Sequence, residues 1–437
     1  MSKTLIVGTG PVAIQLGNIC NQHTNQVIDM VCRASTSTKS NQLYKAYQRD
    51  GYFEVESQNH SHYHLKGRFT INQLYRDLDK VDDVYHTMIM ACTADAYLNV
   101  LRQLSTEVLK SMKCIILVSP TFGSQMIIEQ FMIEINKEIE VISFSTYIGD
   151  TRISDIASPN RVLTTGMKKK LYVGSNKSNS LIIDVIRNVF NALSITLEVM
   201  DTPLYAETRN SSLYVHPPLF MNDFSLKVIF EGSDVPVYVY KLFPEGPITM
   251  KLIKEMRLMW REIMCVLKKM NLPSINLLKF MVKENYPVRP ETLSSKDIEQ
   301  FESLPDKFQE YLLYVRYTAI LIDPFSKPNH KGRYFDFSSV PFKSIYINED
   351  NITYIPRMPS EDYYRTSIIQ HIGKILDVDT PMIDLFLKRY TAHCEQYRVT
   401  HPLQQLSDQF KNYTFTDDQS LITQYLKSKN IMTSNEC

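Results

Sequence analysis

The sequence has little of what marks membrane, secreted or nucleic-acid-binding proteins. Its 48 basic and 47 acidic residues leave a formal net charge of +1, so electrostatics gives no reason to expect nucleic acid or an anionic membrane as a partner. No apolar run approaches the roughly 18 residues of a membrane span. The N-terminus lacks the basic region and long apolar stretch of a signal peptide, and we expect a cytoplasmic protein.

Cysteine is scarce and offers no framework for disulfides or metal. The seven cysteines are scattered and never spaced as C-x-x-C, which is typical of reduced, mostly buried thiols in the cytoplasm. Three alternating histidines, His60, His62 and His64, would share one face of a strand. No carboxylate or cysteine follows them at a useful spacing, so we predict a solvated strand edge and no bound metal.

Glycine and tryptophan are also sparse, at 13 and 1, whereas tyrosine and methionine number 26 and 19. This balance favours a large helical part with aromatic-lined clefts. At 437 residues the chain is too long for one core, and its pattern changes near residue 200. Short apolar strands alternate with helices up to that point, as in a parallel, doubly wound sheet, and long helical patterns such as residues 247–270 dominate beyond it.

We therefore predict an α/β fold in which an N-terminal Rossmann-like domain, residues 1–202, precedes a mainly α-helical domain, residues 203–437. Within the first domain, residues 161–165 and 170–174 are predicted to pair as a hairpin. The connection between them contains Lys168 and Lys169, and we interpret it as a solvated turn.

One glycine-rich turn stands out against this background. Gly8-Thr9-Gly10-Pro11-Val12-Ala13 follows an apolar strand and opens a helix, which is the context that makes G-x-G-x-x-A a dinucleotide-binding motif. Gly8 would form the tight turn, Gly10 would let the backbone approach a pyrophosphate, and Ala13 would permit close helix–strand packing. The free N–H groups of the first helical turn would hold phosphate charge.

The sequence beyond the second predicted strand favours NADP over NAD. The residue about 20 positions past the motif reads the adenosine ribose in this fold, and counting from Ala13 gives Arg33. A cation with hydroxyl neighbours suits a 2′-phosphate, so Arg33, Ser37 and Lys39 are predicted to bind it. The alternative is that Asp29 holds a 2′-hydroxyl, although it lies in mid-strand.

Two later turns follow predicted strands at the edge where ligands bind. Thr93 and Ala94 come after the strand 84–91, a position that normally lies over the nicotinamide, because ligands sit outside the carboxyl ends of parallel strands. Asp150 and Arg152 come after the strand 140–145, where they would face a cleft.

The densest polar stretch, residues 207–223, lies just past the predicted domain junction. Histidine titrates near neutral pH, so His216 could give and take protons during carbonyl reduction, or it could be a core histidine. Asp323, at the end of an apolar helix, is the candidate carboxylate that fixes its tautomer, or a plain turn residue. Tyr238 and Tyr240 alternate on a segment predicted to be extended, where one face could line the cleft or simply pack.

Taken together, these stretches resemble the opine dehydrogenases, and most closely those of the staphylopine synthase type, which make opine metallophores. The resemblance covers nearly the whole chain. It is carried by residues 8–16, 33–37, 91–97, 119–125, 207–226 and 358–365.

The resemblance implies a reductive condensation. The amine of a histidine-derived aminobutyrate would condense with an α-keto acid, pyruvate in the staphylopine branch, and NADPH would reduce the imine. The family's catalytic histidine corresponds to His216, with Asp323 as its carboxylate partner, in an expected homodimer that needs no metal. The residues predicted to bind substrate are Asp150, Arg152, Arg209, Asn222 and Tyr240.

The sequence leaves two other functions open. The first is an NADP-dependent 2-oxo acid reductase, which would make an alcohol and need no amine. The second is a nucleotide-sensing protein without catalysis, which does not account for the large second domain.

Overall fold

The structure, a computed structural model, describes residues 2–32, 38–58, 60–285, 288–319, 338–411 and 414–431. Contacts group the chain into two units. The first comprises Met1–Asn210 and Ser420–Ser428, and the second comprises Ser211–Gln419 and Lys429–Cys437. The domain boundary between residues 202 and 203 stays a prediction.

The first unit alternates strands and helices over most of its length. Its elements in chain order are β1 (Lys3–Val7), α1 (Pro11–His23), β2 (Val27–Val31), α2 (Thr38–Asp50), β3 (Phe53–Ser57), β4 (Gly67–Phe69), β5 (Gln73–Tyr75), β6 (Thr87–Met90), α3 (Tyr97–Gln103), α4 (Thr106–Ser111), β7 (Cys114–Leu117), α5 (Ser124–Glu134), β8 (Glu140–Phe144), β9 (Gly149–Ile153), β10 (Arg161–Met167), β11 (Lys170–Ser175), α6 (Leu181–Ala192), β12 (Thr196–Met200) and α7 (Pro203–Thr208).

An eight-stranded sheet forms the centre of this unit, in the order β12-β11-β8-β7-β6-β1-β2-β5. Every neighbouring pair is parallel except β11 and β8, which are antiparallel. Both faces are buried, because Leu5 and Val7 belong to one hydrophobic cluster and Ile6 to another. The predicted doubly wound parallel sheet is confirmed, and β1, between β2 and β6, lies at the switch point where such sheets bind ligands.

The predicted hairpin of residues 161–165 and 170–174 is wrong. Strand β10 belongs to a second sheet of order β4-β3-β10-β9, whereas β11 lies in the large sheet. The burial patterns give the reason, since Val162 and Thr164 alternate with half-exposed neighbours along β10, while β11 is buried from Leu171 onward and suits an inner strand. Only two residues, Lys168 and Lys169, separate β10 from β11.

The three histidines do not lie on a strand either. His60–Leu65 form a short 3-10 helix, so His60, His62 and His64 do not alternate on one face, and the predicted strand edge is wrong. Within the residues that the structure describes, no group of three or more histidine, cysteine or acidic residues is arranged to hold a metal ion.

The second unit is mainly helical, as predicted. Its elements are α8 (Ser212–Phe220), α9 (Asp223–Glu231), α10 (Met250–Lys269), α11 (Leu277–Lys279), α12 (Ser295–Gln300), α13 (Asp306–Ala319), β13 (Tyr346–Ile347), β14 (Thr353–Tyr354), α14 (Arg357–Ile375), α15 (Pro381–Thr400) and α16 (Thr416–Ser428), whose residues from Ser420 onward group with the first unit.

Helix α10 supplies much of the core of the second unit. Its apolar stripe is buried, with Met256, Met259 and Ile263 fully inaccessible to solvent. Trp260 is a core residue whose indole N–H donates to the carbonyl of Ile275 at 2.8 Å. No helix in the described part of the chain is long and apolar enough to cross a membrane.

Candidate active site

The glycine turn has the backbone geometry that its sequence predicts. Gly8 has a φ of 122°, and a Cβ atom there would lie 2.7 Å from the carbonyl oxygen of Ala91. Both facts restrict this position to glycine. A Cβ at Gly10 would meet no atom within 4 Å, so open space lies in front of the turn.

The start of α1 leaves its donors available to a ligand. Gly10 is the N-cap and provides no side-chain hydrogen bond, and Pro11 occupies the first helical turn. The first helical hydrogen bond runs from the N–H of Ile14 to the carbonyl of Gly10 at 3.2 Å. The N–H groups of Val12 and Ala13 precede it and point to the open end of the helix, which attracts anions.

The turn after β6 lies beside the glycine turn, because the backbone carbonyl of Ala91 packs against Gly8. Thr93 and Ala94 follow it at the start of a short 3-10 helix, Ala94–Ala96, and both are half-buried. The structure therefore brings the predicted pyrophosphate and nicotinamide residues together at one edge of the sheet.

The predicted 2′-phosphate residues are only partly described. Arg33 and Ser37 lie outside the described residues, and Lys39 is exposed in the first turn of α2. The rival residue, Asp29, is fully buried. It accepts hydrogen bonds from the N–H of Gln73 at 2.8 Å and from the hydroxyl of Tyr85 at 2.7 Å, so its carboxylate is engaged by protein donors.

Asp150 and Arg152 lie on β9 with largely exposed side chains, 70% and 62% accessible, and their charged groups are 3.6 Å apart. Thr165 also donates to Asp150 at 2.7 Å. Beneath them, the hydroxyl of Tyr147 lies 2.8 Å from that of Thr151. Strand β9 is thus anchored at Thr151, while the charges of Asp150 and Arg152 stay exposed.

Arg209 and Asn222 have structural partners. The guanidinium of Arg209 donates to the hydroxyl of Tyr205 at 2.8 Å and lies 5.2 Å from the ring centres of Tyr172 and Tyr205. Asn222 caps α9 by accepting from the N–H of Ser225 at 2.9 Å. The sequence predicted both residues only as substrate contacts and indicated neither the tyrosine contacts of Arg209 nor the helix cap formed by Asn222.

Tyr240 does not lie on an extended segment as predicted. Tyr238 forms an isolated bridge with Pro341, and Tyr240 lies in the following turn, half-buried. The alternation that would place both rings on one face is therefore absent, because the chain turns after a single bridge residue.

Sequence reasoning missed Glu207, a fully buried carboxylate in α7. It accepts hydrogen bonds from the N–H groups of Gly123 at 2.9 Å and Gln125 at 2.8 Å, and from the hydroxyl of Ser143 at 2.9 Å. Burial raises its pKa to about 8 although these donors favour the charged form. Glu207 thereby ties the end of the first unit to the N-terminus of α5.

His216 lies on α8 in the second unit, and its side chain is 20% exposed. Its Nε2 atom lies 3.4 Å from the hydroxyl of Ser212, and its ring contacts Phe220 edge-on at 5.5 Å. Burial, followed by the charges of Arg365 and Arg357, lowers its pKa well below the usual range. The imidazole is therefore neutral near pH 7 and able to accept a proton.

The carboxylate beside His216 belongs to Asp362 on α14. Its Oδ1 atom lies 3.9 Å from the Nδ1 of His216 and 3.1 Å from a guanidinium nitrogen of Arg365. Asp362 is fully inaccessible to solvent, and this burial raises its pKa to about 7. The arrangement is that of a histidine whose remote nitrogen faces a carboxylate, as in proton-transfer dyads.

Asp323, the predicted partner of His216, lies outside the described residues. Asp362 and Arg365 are spaced by three residues on one helix, and both fall in the stretch 358–365 that carries part of the resemblance. That spacing on a buried helix face was the available signal, because two charges on an apolar face require partners.

Comparison with known proteins identifies one family. A family model described as staphylopine dehydrogenase matches residues 2–426. Staphylopine synthase of Staphylococcus aureus is 65% identical over 98% of this chain and 99% of its own length. Pseudopaline synthase of Pseudomonas aeruginosa is 33% identical over 89% of each chain. The solved structure of yersinopine dehydrogenase with NADP+ bound superposes with a TM-score of 0.90, at 26% identity, covering 98% of this chain and 99% of that one.

Proposed function

Because the chain belongs to the staphylopine dehydrogenase family, we propose that it is an opine metallophore synthase. The amine of a histidine-derived aminobutyrate condenses with an α-keto acid, pyruvate, and the imine is reduced with NADPH to a secondary amine that chelates metal ions. The predicted family and enzyme class, an opine dehydrogenase, are confirmed.

The observation that carries the proposal is His216 beside Asp362. Condensation requires a neutral amine, and loss of water from the carbinolamine requires an acid, so one histidine can serve both steps. Neutral His216 takes a proton from the substrate ammonium, and the resulting imidazolium donates a proton to the departing hydroxyl. Asp362 stabilises this imidazolium through Nδ1. The distance of 3.9 Å is longer than a hydrogen bond, and such contacts often tighten when substrate binds.

The residues of the glycine turn fit NADPH, which supplies the hydride when it is bound. The open space at Gly10 and the N–H groups of Val12 and Ala13 suit the pyrophosphate. Arg33, Ser37 and Lys39 are proposed to bind the 2′-phosphate, and Thr93 with Ala94 to lie over the nicotinamide.

The substrate-binding residues are proposed in two groups. Asp150 and Arg152 present accessible charges of opposite sign, which suit the ammonium and a carboxylate of the amine substrate. Arg209, Asn222 and Tyr240 remain proposed contacts, although the first two already hold protein partners. We also propose that the protein is cytoplasmic and forms a homodimer. Light scattering after size-exclusion chromatography would test the dimer.

Mass spectrometry of the product decides the proposed reaction. Purified enzyme is incubated with NADPH, pyruvate and a panel of amines that includes the histidine-derived aminobutyrate. We expect NADPH oxidation only when keto acid and amine are both present, with a product mass equal to their sum after loss of water and gain of two hydrogens. Oxidation without amine would favour the 2-oxo acid reductase, and tight NADPH binding without turnover would favour a nucleotide sensor.

A further inference from the structure

Lys168 departs from the solvated turn that its sequence suggests. It lies between β10 and β11, and its backbone N–H donates to the carbonyl of Ile148 at 2.8 Å. Lys168 is half-buried, whereas its neighbour Lys169 is exposed. Two consecutive lysines in one short connection therefore have different environments.

The ammonium group of Lys168 has no counter-charge among the residues that the structure describes. No hydrogen bond or ion pair involves its side chain there, and burial alone lowers its pKa. The nearby charges are already paired, since Lys170 contacts Glu198 at 2.6 Å and Asp150 contacts Arg152 at 3.6 Å. A cation taken out of water without a partner is costly, and such groups are concentrated at binding sites.

The position of Lys168 is one where ligands bind. Strand β11 runs antiparallel to β8, with Val173 opposite Phe144, so the residues before β11 lie beyond the carboxyl end of β8. The glycine turn follows the carboxyl end of β1 in the same sheet. In open α/β sheets, ligands bind outside these carboxyl ends. Ile148, to which Lys168 is tied, directly precedes β9 and its exposed Asp150.

We propose that Lys168 binds a substrate carboxylate in the reductive condensation. The inference rests on the proposed function, in which the keto acid and the amino-acid-derived amine both carry carboxylates. The bound carboxylate supplies the counter-charge that Lys168 lacks. Lys168 thereby contributes to the affinity for that substrate and takes no part in bond formation. The kinetic experiment separates the two sources of carboxylate.

The test compares Lys168→Met with Lys168→Arg and with the matched control Lys169→Met. Methionine keeps most of the length of the side chain, lacking only its terminal atom, and removes its charge. We expect Lys168→Met to raise the KM for one carboxylate substrate by about tenfold or more, which corresponds to about 1.4 kcal/mol. The KM for NADPH and the value of kcat should remain close to wild type, Lys168→Arg should recover much of the affinity, and Lys169→Met should behave as wild type.

Three kinetic outcomes would overturn the proposal. Unchanged KM values for both substrates would remove Lys168 from substrate binding. A rise confined to NADPH would assign the ammonium to the cofactor. A loss of kcat with unchanged KM would assign it to the chemical step. Lys168→Gln provides the same comparison if Lys168→Met does not fold, as judged by its thermal unfolding.

A binding measurement separates this inference from the proposed function. Calorimetric titration of pyruvate, and separately of the amine, into NADPH-loaded wild type and Lys168→Met needs no turnover. Absence of turnover in the wild type would refute the proposed function, yet a weaker Kd in the variant would still support a carboxylate site. If the Kd values for pyruvate and for the amine are each the same in the wild type and in Lys168→Met, the inference is overturned.

Discussion

The glycine turn and the histidine site are built from different parts of the chain. The turn is made of backbone, since Gly8 adopts a φ of 122° and Gly10 leaves open space. The histidine site is made of side chains on two helices, α8 and α14, which pack together in the second unit. Its chemistry depends on burial, which lowers the pKa of His216 and raises that of Asp362. The first region is thus suited to binding by the conformation of its backbone, and the second to proton transfer by the burial of its side chains.

The largest expected effect comes from the side chain that carries the chemistry. His216→Ala should lower kcat by about 10²–10⁴-fold, the usual contribution of a general acid–base group. NADPH affinity should stay near wild type, because the glycine turn does not depend on this imidazole. Fluorescence titration of NADPH and steady-state kinetics on the same preparation check both statements. Unchanged turnover would remove His216 from the mechanism.

Substitutions at Gly8 and Gly10 should distinguish the effect of the backbone conformation from that of the open space in front of the turn. Gly8→Ala should weaken NADPH and lower the Tm, because alanine at positive φ costs about 1–2 kcal/mol and its Cβ would lie 2.7 Å from a backbone oxygen. Gly10→Ala should leave the Tm unchanged, since its Cβ meets no protein atom within 4 Å. It should still weaken NADPH by about tenfold, or about 1.4 kcal/mol, if the pyrophosphate occupies that space. A normal NADPH Kd in Gly10→Ala would contradict the assignment of the turn.

Asp362→Asn should reduce kcat less than His216→Ala does, by about tenfold, or about 1.4 kcal/mol. The raised pKa of Asp362, about 7, means that the carboxylate is ionised above pH 7 and becomes protonated as the pH falls through that value. Its stabilisation of the imidazolium is therefore present at high pH and lost at low pH. The wild-type pH–rate profile should have an acid limb near pH 7 that Asp362→Asn lacks. Comparing both profiles with one substrate pair cancels the titration of the amine, and parallel profiles would show that Asp362 does not act on His216.

The same contrast explains how much the sequence predicts. The parallel sheet and the glycine turn follow from local patterns, because a strand, a glycine turn and a helix are consecutive in the chain. Asp362 could not be assigned to His216 in this way, because only the packing of α14 against α8 brings them together. The hairpin prediction failed for a related reason: β10 and β11 are adjacent in sequence, but their different burial patterns place them in separate sheets.

The smallest expected effect concerns Lys39, one of the residues proposed to bind the 2′-phosphate. It is exposed in the first turn of α2, where a charge pair contributes only about 0–1 kcal/mol. Lys39→Ala should therefore weaken NADPH by about fivefold or less and leave NADH unchanged, since only NADPH carries the 2′-phosphate. Lys45→Ala, an exposed lysine later on the same helix, is the matched control for a change in net charge. Equal losses for both cofactors in Lys39→Ala would mean that this lysine acts through the general field of the protein, and the preference for NADPH would then depend on Arg33 and Ser37.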